Sequence, residues 1–236
     1  MSGYAATAPF YDPIAGHQHS AVDQEIASAL RDLETNGLPV VDVGAGTGLT
    51  TLVIASALPQ AEVLAVEPDP SMRAALMARL WADRDLRSRV SVLPMPVARA
   101  PLPPSVAAFV ASASLVHFGP EQRTELWRLL ARRLSPSGRA VLEVQCPIAE
   151  DVPETCIAKA QMGQVSYEAW ASARRIDDSR QLWHVRYLSR LRDVEIDRQS
   201  TEHVCWAASA DRLLAEARDF GLGGVEDGSL IVLSLE

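Results

Sequence analysis

The sequence predicts an α/β domain built on a doubly wound, largely parallel sheet, with an antiparallel insertion late in the chain. Three observations predict it. Short β-branched runs alternate with helical patterns from Pro39 to Gln145, one run ends in a glycine cluster that feeds a helix, and after Pro147 the texture turns aromatic and alternating, with Trp183, Val185 and Tyr187 two apart. Strand and helix patterns that alternate this way place successive strands parallel, with helices over both faces.

Residues 1–19, rich in Gly, Pro, Tyr and His, read as an irregular leader. Ser20 is placed to cap a helix to about Leu33, with apolar positions at Val22, Ile26, Ala29, Leu30 and Leu33. Asn36-Gly37 ends that helix in left-handed backbone. Strands follow at Pro39–Val43, Glu62–Val66, Val90–Leu93 and Val106–Ala111. Helices are predicted at Thr50–Leu58, from Asp69-Pro70 through Trp81 with Pro in the first turn, and at Pro120–Leu134. Ser135-Pro136-Ser137-Gly138 reads as a turn into a fifth strand, Arg139–Gln145. Beyond it we expect a helical or irregular link over 150–163, then antiparallel strands near Gln164–Ala173, Gln181–Leu191 and Val194–Cys205, with a tight connection at Asp193. A helix at Ser209–Phe220 and a strand at Ser229–Leu235, entered through the Asp227-Gly228 turn, return the chain to the core.

With 236 residues, 48% hydrophobic and 22% charged, and a mean hydropathy of +0.03, the chain has globular composition, which sets aside disordered and collagen-like readings. A net charge of −8 opposes a phosphate-neutralising surface, so nucleic acid is not an expected partner. No apolar run is long enough to span a bilayer and the N-terminus lacks a signal pattern, so no membrane association is expected. The cysteines, Cys146, Cys156 and Cys205, are odd in number and lack metal-ligand spacing. That suits a reducing, cytoplasmic compartment. Arg and Ala are abundant while Lys159 is the sole lysine, a usage that suggests a bacterial, GC-rich genome.

The most informative segment is Val41-Asp42-Val43-Gly44-Ala45-Gly46-Thr47-Gly48. Glycines at a strand end allow a tight turn and let a ligand approach without a Cβ in the way. Glu67 stands nineteen positions beyond Gly48, at the end of the second strand, where a carboxylate can accept both hydroxyls of a ribose. Asp42, inside the first strand, is placed to hold the turn. The glycine spacing is not that of dinucleotide sites, because the third glycine comes one place early. A ligand-free βα turn is the alternative.

On these residues the segment Val40–Gln145 resembles the class I S-adenosylmethionine-dependent methyltransferases, most of all the small-molecule branch that includes ubiquinone-biosynthesis-type enzymes. Asp42, Gly44, Gly46 and Gly48 match the first motif, Glu67 the ribose position, and Ser112–Phe118 the stretch after strand four. Leu134-Ser135-Pro136-Ser137-Gly138-Arg139 is similar to the family's lead into strand five. The resemblance implies a Rossmann-like seven-stranded sheet of order 3-2-1-4-5-7-6, with S-adenosylmethionine across the strand ends and S-adenosylhomocysteine as product. It implies cofactor contacts from Asp42, Gly44, Ala45, Gly46, Gly48, Glu67, Pro68, Met72 and Ser112, with Tyr11 folding over the site. The acid that many relatives carry after strand three is missing from Leu93–Ala98, and Ala107 replaces the usual acid opening strand four. Adenine is then left to backbone and apolar packing at Pro96, Val97 and Ala98. The implied organisation is a lid and helix over 1–38, a cofactor core over 39–147, an antiparallel substrate cover over 148–207, and a helix and strand over 208–236 that complete the core.

Methyl transfer from a sulfonium needs no acid for the leaving group, but it does need an aligned nucleophile and a place for its proton. His117, just after strand four, is the candidate general base, with a bystander lining role as the alternative. Gln145 at the end of strand five, His17, and the aromatics Tyr167, Trp170 and Trp183 are candidates for the acceptor side. Glu143 reads as a satisfied polar residue of the sheet that can also orient a substrate. For the aromatics, sheet packing and a homodimer surface are the plainer readings. His17 and His19 lack a third ligand, so no metal is expected. The arginines at 123, 128, 132, 133 and 139 read as a solvated helix face. The expected activity is methylation of an oxygen or nitrogen, with carbon not set aside, on a small-molecule acceptor. An RNA or protein methyltransferase, disfavoured by the charge, and a non-catalytic scaffold are the competing readings.

Overall fold

The computed structural model describes residues 4–15, 19–145 and 150–236. The chain opens with helices α1 (Ala8–Ala15) and α2 (His19–Leu30) and continues as β1 (Val40–Val43), α3 (Leu49–Ala57), β2 (Val63–Val66), α4 (Pro70–Ala82), α5 (Arg84–Arg89) and β3 (Val90–Leu93). Next come β4 (Val106–Ala111), α6 (Pro120–Arg133) and β5 (Leu134–Glu143), then β6 (Val152–Met162), β7 (Val165–Asp177), β8 (Arg180–Leu191) and β9 (Val194–Trp206). It closes with α7 (Ala210–Arg218), β10 (Leu222–Asp227) and β11 (Leu230–Leu235). By packing these form two units, residues 1–20 with 147–207 and residues 21–146 with 208–236.

The larger unit holds a seven-stranded sheet of order β3-β2-β1-β4-β5-β11-β10. Its first five strands run parallel and β11 pairs antiparallel with both β5 and β10, so the expected order is observed. Period two sends alternate side chains to opposite helical layers. Val41, Val43, Phe109 and Ala111 pack with Leu126, Trp127 and Leu130 of α6 and Leu213 and Ala217 of α7. Val40, Ala108, Val110 and Val141 pack with Ile26 and Leu30 of α2 and Ile54 of α3. Large side chains buried this completely contribute about 1.5–3 kcal/mol each relative to exposure. Asp69 caps α4 through Ser71 N and Met72 N, and Asn36 and Gly37 take the predicted left-handed backbone.

The smaller unit is a four-stranded antiparallel sheet, β6-β7-β8-β9, with α1 against one face. Phe10 stacks on Tyr187 at 5.1 Å and meets Tyr167 edge-on at 6.0 Å, while Ile14 and Ala15 are buried beside them. Arg192 and Asp193 both take positive φ, which makes the tight β8–β9 connection.

Five expectations are corrected. The leader is not irregular throughout: α1 forms despite Pro9 and Pro13 because Phe10 and Ile14, one turn apart, bury against the sheet. Ser20 lies inside α2, which starts at His19, instead of preceding it. The link over 150–163 is a strand, β6, whose charges and Pro153 mark it as a sheet edge and mask its alternation. The turn before strand five is part of β5, which starts at Leu134 and slips register between Val106 and Ala108. Finally, Arg123 is not solvated. It is 2% exposed, forks onto Glu216 of α7 with two bonds of 2.8 Å, and donates to the Phe118 carbonyl at 3.0 Å. The sequence does not predict β10, since Gly223 and Gly224 are poor strand formers. Gly224 is required there: a Cβ would stand 2.3 Å from the Val232 carbonyl oxygen on β11.

Breaking one partner of a buried pair strands the other charge. Glu216→Ala is therefore expected to cost about 3 kcal/mol, read as a lower urea midpoint at unchanged slope. A loss below ~1 kcal/mol would show that Arg123 is held by other means.

Candidate functional site

The carboxyl ends of β1, β2 and β4 lie side by side in the larger unit, so they bring the predicted cofactor residues together. After β1 the chain takes positive φ at Gly44 (72°), Gly46 (57°) and Gly48 (93°). Gly44 N and Ala45 N donate to the Val66 carbonyl at 2.9 and 3.1 Å, which docks the turn on the end of β2. A Cβ on Gly48 would collide with Leu76 Cδ1 at 2.6 Å, and one on Gly44 would press Ser114 Cβ at 3.0 Å. At Gly46 nothing stands nearer than the Met72 methyl, 3.7 Å away, so that side of the turn is a cradle a side chain would fill.

Glu67 ends this arrangement from the other strand. It is buried, its Oε2 accepts from Gly46 N at 2.9 Å and its Oε1 from Asp69 N at 2.7 Å. One carboxylate thus fixes the glycine turn and the entry to α4. Burial raises its pKa above the ordinary carboxylate range, while the two backbone bonds and Arg73 pull it down. Asp69 caps α4 with Oδ1, and its Oδ2 is buried with no hydrogen-bond partner among the described residues. An acceptor left over two residues from Glu67 suits a ligand that brings hydroxyl or amine donors to the β2 end.

Asp42 sits under the turn on the α3 side of the sheet, and Thr51 of α3 donates to it at 2.5 Å. Its pKa is pushed up to about 7 by complete burial, against the Thr51 bond and with a smaller contribution from Glu67. It anchors the turn from within and faces no solvent. Pro68 is exposed and Met72 is buried beside Gly46. After β3, Pro96 is extended and leads into the single helical turn Val97–Arg99, with Val97 buried and Pro96 and Ala98 exposed.

After β4, Ser112 is buried and donates to Glu143 Oε2 at 2.6 Å. Ser114, not singled out from the sequence, donates to the Val43 carbonyl at 3.1 Å and so ties this segment to the end of β1. His117 closes the single helical turn Leu115–His117 and is half-buried. Gln145 is exposed and donates to Glu143 Oε1 at 3.2 Å. His17 and Cys146 lie outside the described residues.

Tyr11, Tyr167, Trp170 and Trp183 belong to the smaller unit. Strand register divides the last three. Tyr167 pairs across to Ser189, and Ala173 to Trp183, which puts both aromatics on the face that carries Tyr187 and α1. Trp170 is on the opposite face, donating to Glu168 at 2.8 Å with Arg186 over its ring. Among the described residues, no group of three or more His, Cys, Asp or Glu is placed to hold a metal, and no helix is long and apolar enough to cross a membrane.

Residues 40–138 match the family model described as a methyltransferase domain. No curated protein matches the chain in sequence. Among solved structures, the chain is similar to DesVI of Streptomyces venezuelae, with 16% identity and a TM-score of 0.80 over 100% of this chain and 99% of that one. It is similar to the sugar N-methyltransferase KedS8 of a Streptoalloteichus species, with 18% identity and a TM-score of 0.74 over 96% and 91%. It is also similar to CalS10 of Micromonospora echinaspora, an amino pentose methyltransferase determined with S-adenosylmethionine bound, with 18% identity and a TM-score of 0.71 over 92% and 91%. At these identities the likeness establishes the fold, the Rossmann-like methyltransferase fold with an added antiparallel sheet.

The Asp42 environment sets a pH dependence. With a native pKa of about 7 against an ordinary 3.8, the folded chain keeps a proton that the unfolded chain releases, so stability falls as pH rises between those values. Asp42→Asn escapes this. Relative to wild type, it should gain roughly 2–3 kcal/mol between pH 5 and pH 8 in urea unfolding. A gap independent of pH would show that Asp42 is ionised throughout.

Proposed function

We propose that this protein is an S-adenosylmethionine-dependent methyltransferase of the small-molecule branch that methylates a nitrogen or oxygen, nitrogen foremost, of a metabolite or natural-product acceptor. The observation that carries the reading is the Glu67–Gly46 bond, at the glycine of the turn where a Cβ would meet nothing nearer than 3.7 Å, with a second buried acceptor, Asp69 Oδ2, close by in the chain. The methyltransferase-domain match over 40–138 supports the cofactor, and two structural neighbours named as a sugar N-methyltransferase and an amino pentose methyltransferase support a small amine-bearing acceptor.

S-adenosylmethionine supplies an electrophilic methyl on a positively charged sulfur. The residues around it bind and orient. Glu67 accepts the ribose hydroxyls, and the Gly44–Gly48 turn gives the donor close access to backbone. Pro68, Met72, Pro96, Val97 and Ala98 border the adenine, while Asp42 and Ser112 hold the turn and the segment after β4. His117 takes the proton from the acceptor's ammonium or hydroxyl, because only an unprotonated lone pair attacks carbon. Gln145, beyond β5, is assigned to the acceptor side. The chain is assigned to the cytoplasm and to a small acceptor, with a homodimer as a further expectation.

Calorimetric titration with S-adenosylhomocysteine tests the reading. Wild type is expected to bind in the micromolar range, and Glu67→Ala to lose roughly 1–3 kcal/mol of that affinity, about 5- to 150-fold. Absence of binding by folded wild type would overturn the cofactor site and with it the proposed activity.

A further inference from the structure

Glu143, the last residue of β5, is buried where the segment after β4 begins. Its Oε2 accepts two bonds, from the Ser112 hydroxyl at 2.6 Å and from Ala113 N–H at 2.7 Å. Ala113 has φ 49°, a left-handed conformation that a residue with a Cβ adopts only under constraint. The next residue, Ser114, lands with its hydroxyl on the Val43 carbonyl and its Cβ against Gly44, and the Leu115–His117 turn follows directly. A chain of contacts therefore runs from Glu143 through the forced backbone of Ala113 to the glycine turn.

We infer that Glu143 is a positioning residue that sets the segment 112–117 against the glycine turn by holding Ala113 in left-handed backbone. Both bonds to this segment fall on one oxygen, and the other accepts only from the exposed Gln145 amide, whose carbonyl can take its place opposite a carboxamide, so the task needs an acceptor in that place and no charge. This separates the role from acid–base chemistry, which a carboxamide would abolish. The inference rests on the reading of the glycine turn as the methyl-donor site.

The test uses S-adenosylhomocysteine as probe, titrated into wild type, Glu143→Gln, Glu143→Ala, Ala113→Gly and the double variant Glu143→Ala with Ala113→Gly. Amide hydrogen exchange over 112–118 is followed in the same proteins without the probe. Glu143→Gln is expected within about threefold of wild-type affinity, because its carbonyl replaces Oε2. Glu143→Ala is expected to weaken binding roughly tenfold and to speed exchange at Ala113 and Ser114. Glycine adopts positive φ freely, so the double variant should recover most of that loss relative to the Ala113→Gly baseline.

Wild-type behaviour of Glu143→Ala, a double variant no better than Glu143→Ala, or a Glu143→Gln as weak as Glu143→Ala would each overturn the inference. Should Glu143→Ala fail to fold, Glu143→Gln decides: Ala113 protection equal to wild type supports the role, and its loss overturns it. If wild type binds no probe, the donor-site reading fails, while the exchange comparison still decides whether Glu143 positions the segment.

Discussion

The geometry at the strand ends depends on one buried carboxylate shared between two backbone amides. Glu67 is nearly inaccessible, and its burial is tolerated because Gly46 N–H and Asp69 N–H meet its two oxygens. The bond to Gly46 draws the turn toward β2, and the turn's three left-handed residues follow from that path. The bond to Asp69 fixes the first turn of α4, which brings Met72 and Leu76 against Gly46 and Gly48. Remove the carboxylate and both loops lose the partner that orders them, although the strands beneath keep their packing.

A second carboxylate does comparable work one layer down. Asp42 lies within β1, where period two turns it away from α6 and toward α3, and Thr51 is the donor that position requires. Glu67 adds to the upward push on the Asp42 pKa, and burial raises both acids. The turn is thus held from above and from inside the sheet by two acids that burial pushes above the ordinary carboxylate range.

Much of this was legible in the residues. Of the central strands, Val106–Ala111 is a continuous apolar run and Val40–Val43 is interrupted only by Asp42, because helices cover both faces, whereas a strand with one wet face would alternate. Asp69-Pro70, Asn36-Gly37 and Asp227-Gly228 carry their local conformation in their own chemistry. What was not legible depends on distant partners. The helix at Ala8–Ala15 exists because of aromatics on β7 and β8, and β10 is readable only once β11 is known to lie across its glycines. In the site, the glycines and Glu67 announce themselves by spacing. Nothing near Ala113 signals its backbone, which is imposed from 30 residues away, and nothing in the row of aromatics says that Trp170 faces opposite to Tyr167 and Trp183.

The smaller unit is assembled from the two ends of a long excursion: Tyr187 donates to Thr7, 180 residues apart in sequence. The α1 segment precedes β7 and β8 in the chain, so its apolar face has no sheet to cover until those strands have been made. Closing so long a loop carries an entropic cost that grows only slowly with its length, so the arrangement is thermodynamically ordinary but kinetically late. During synthesis, Phe10 and Ile14 stay unburied until those strands emerge, and over that interval the α1 segment is open to chaperones and proteases.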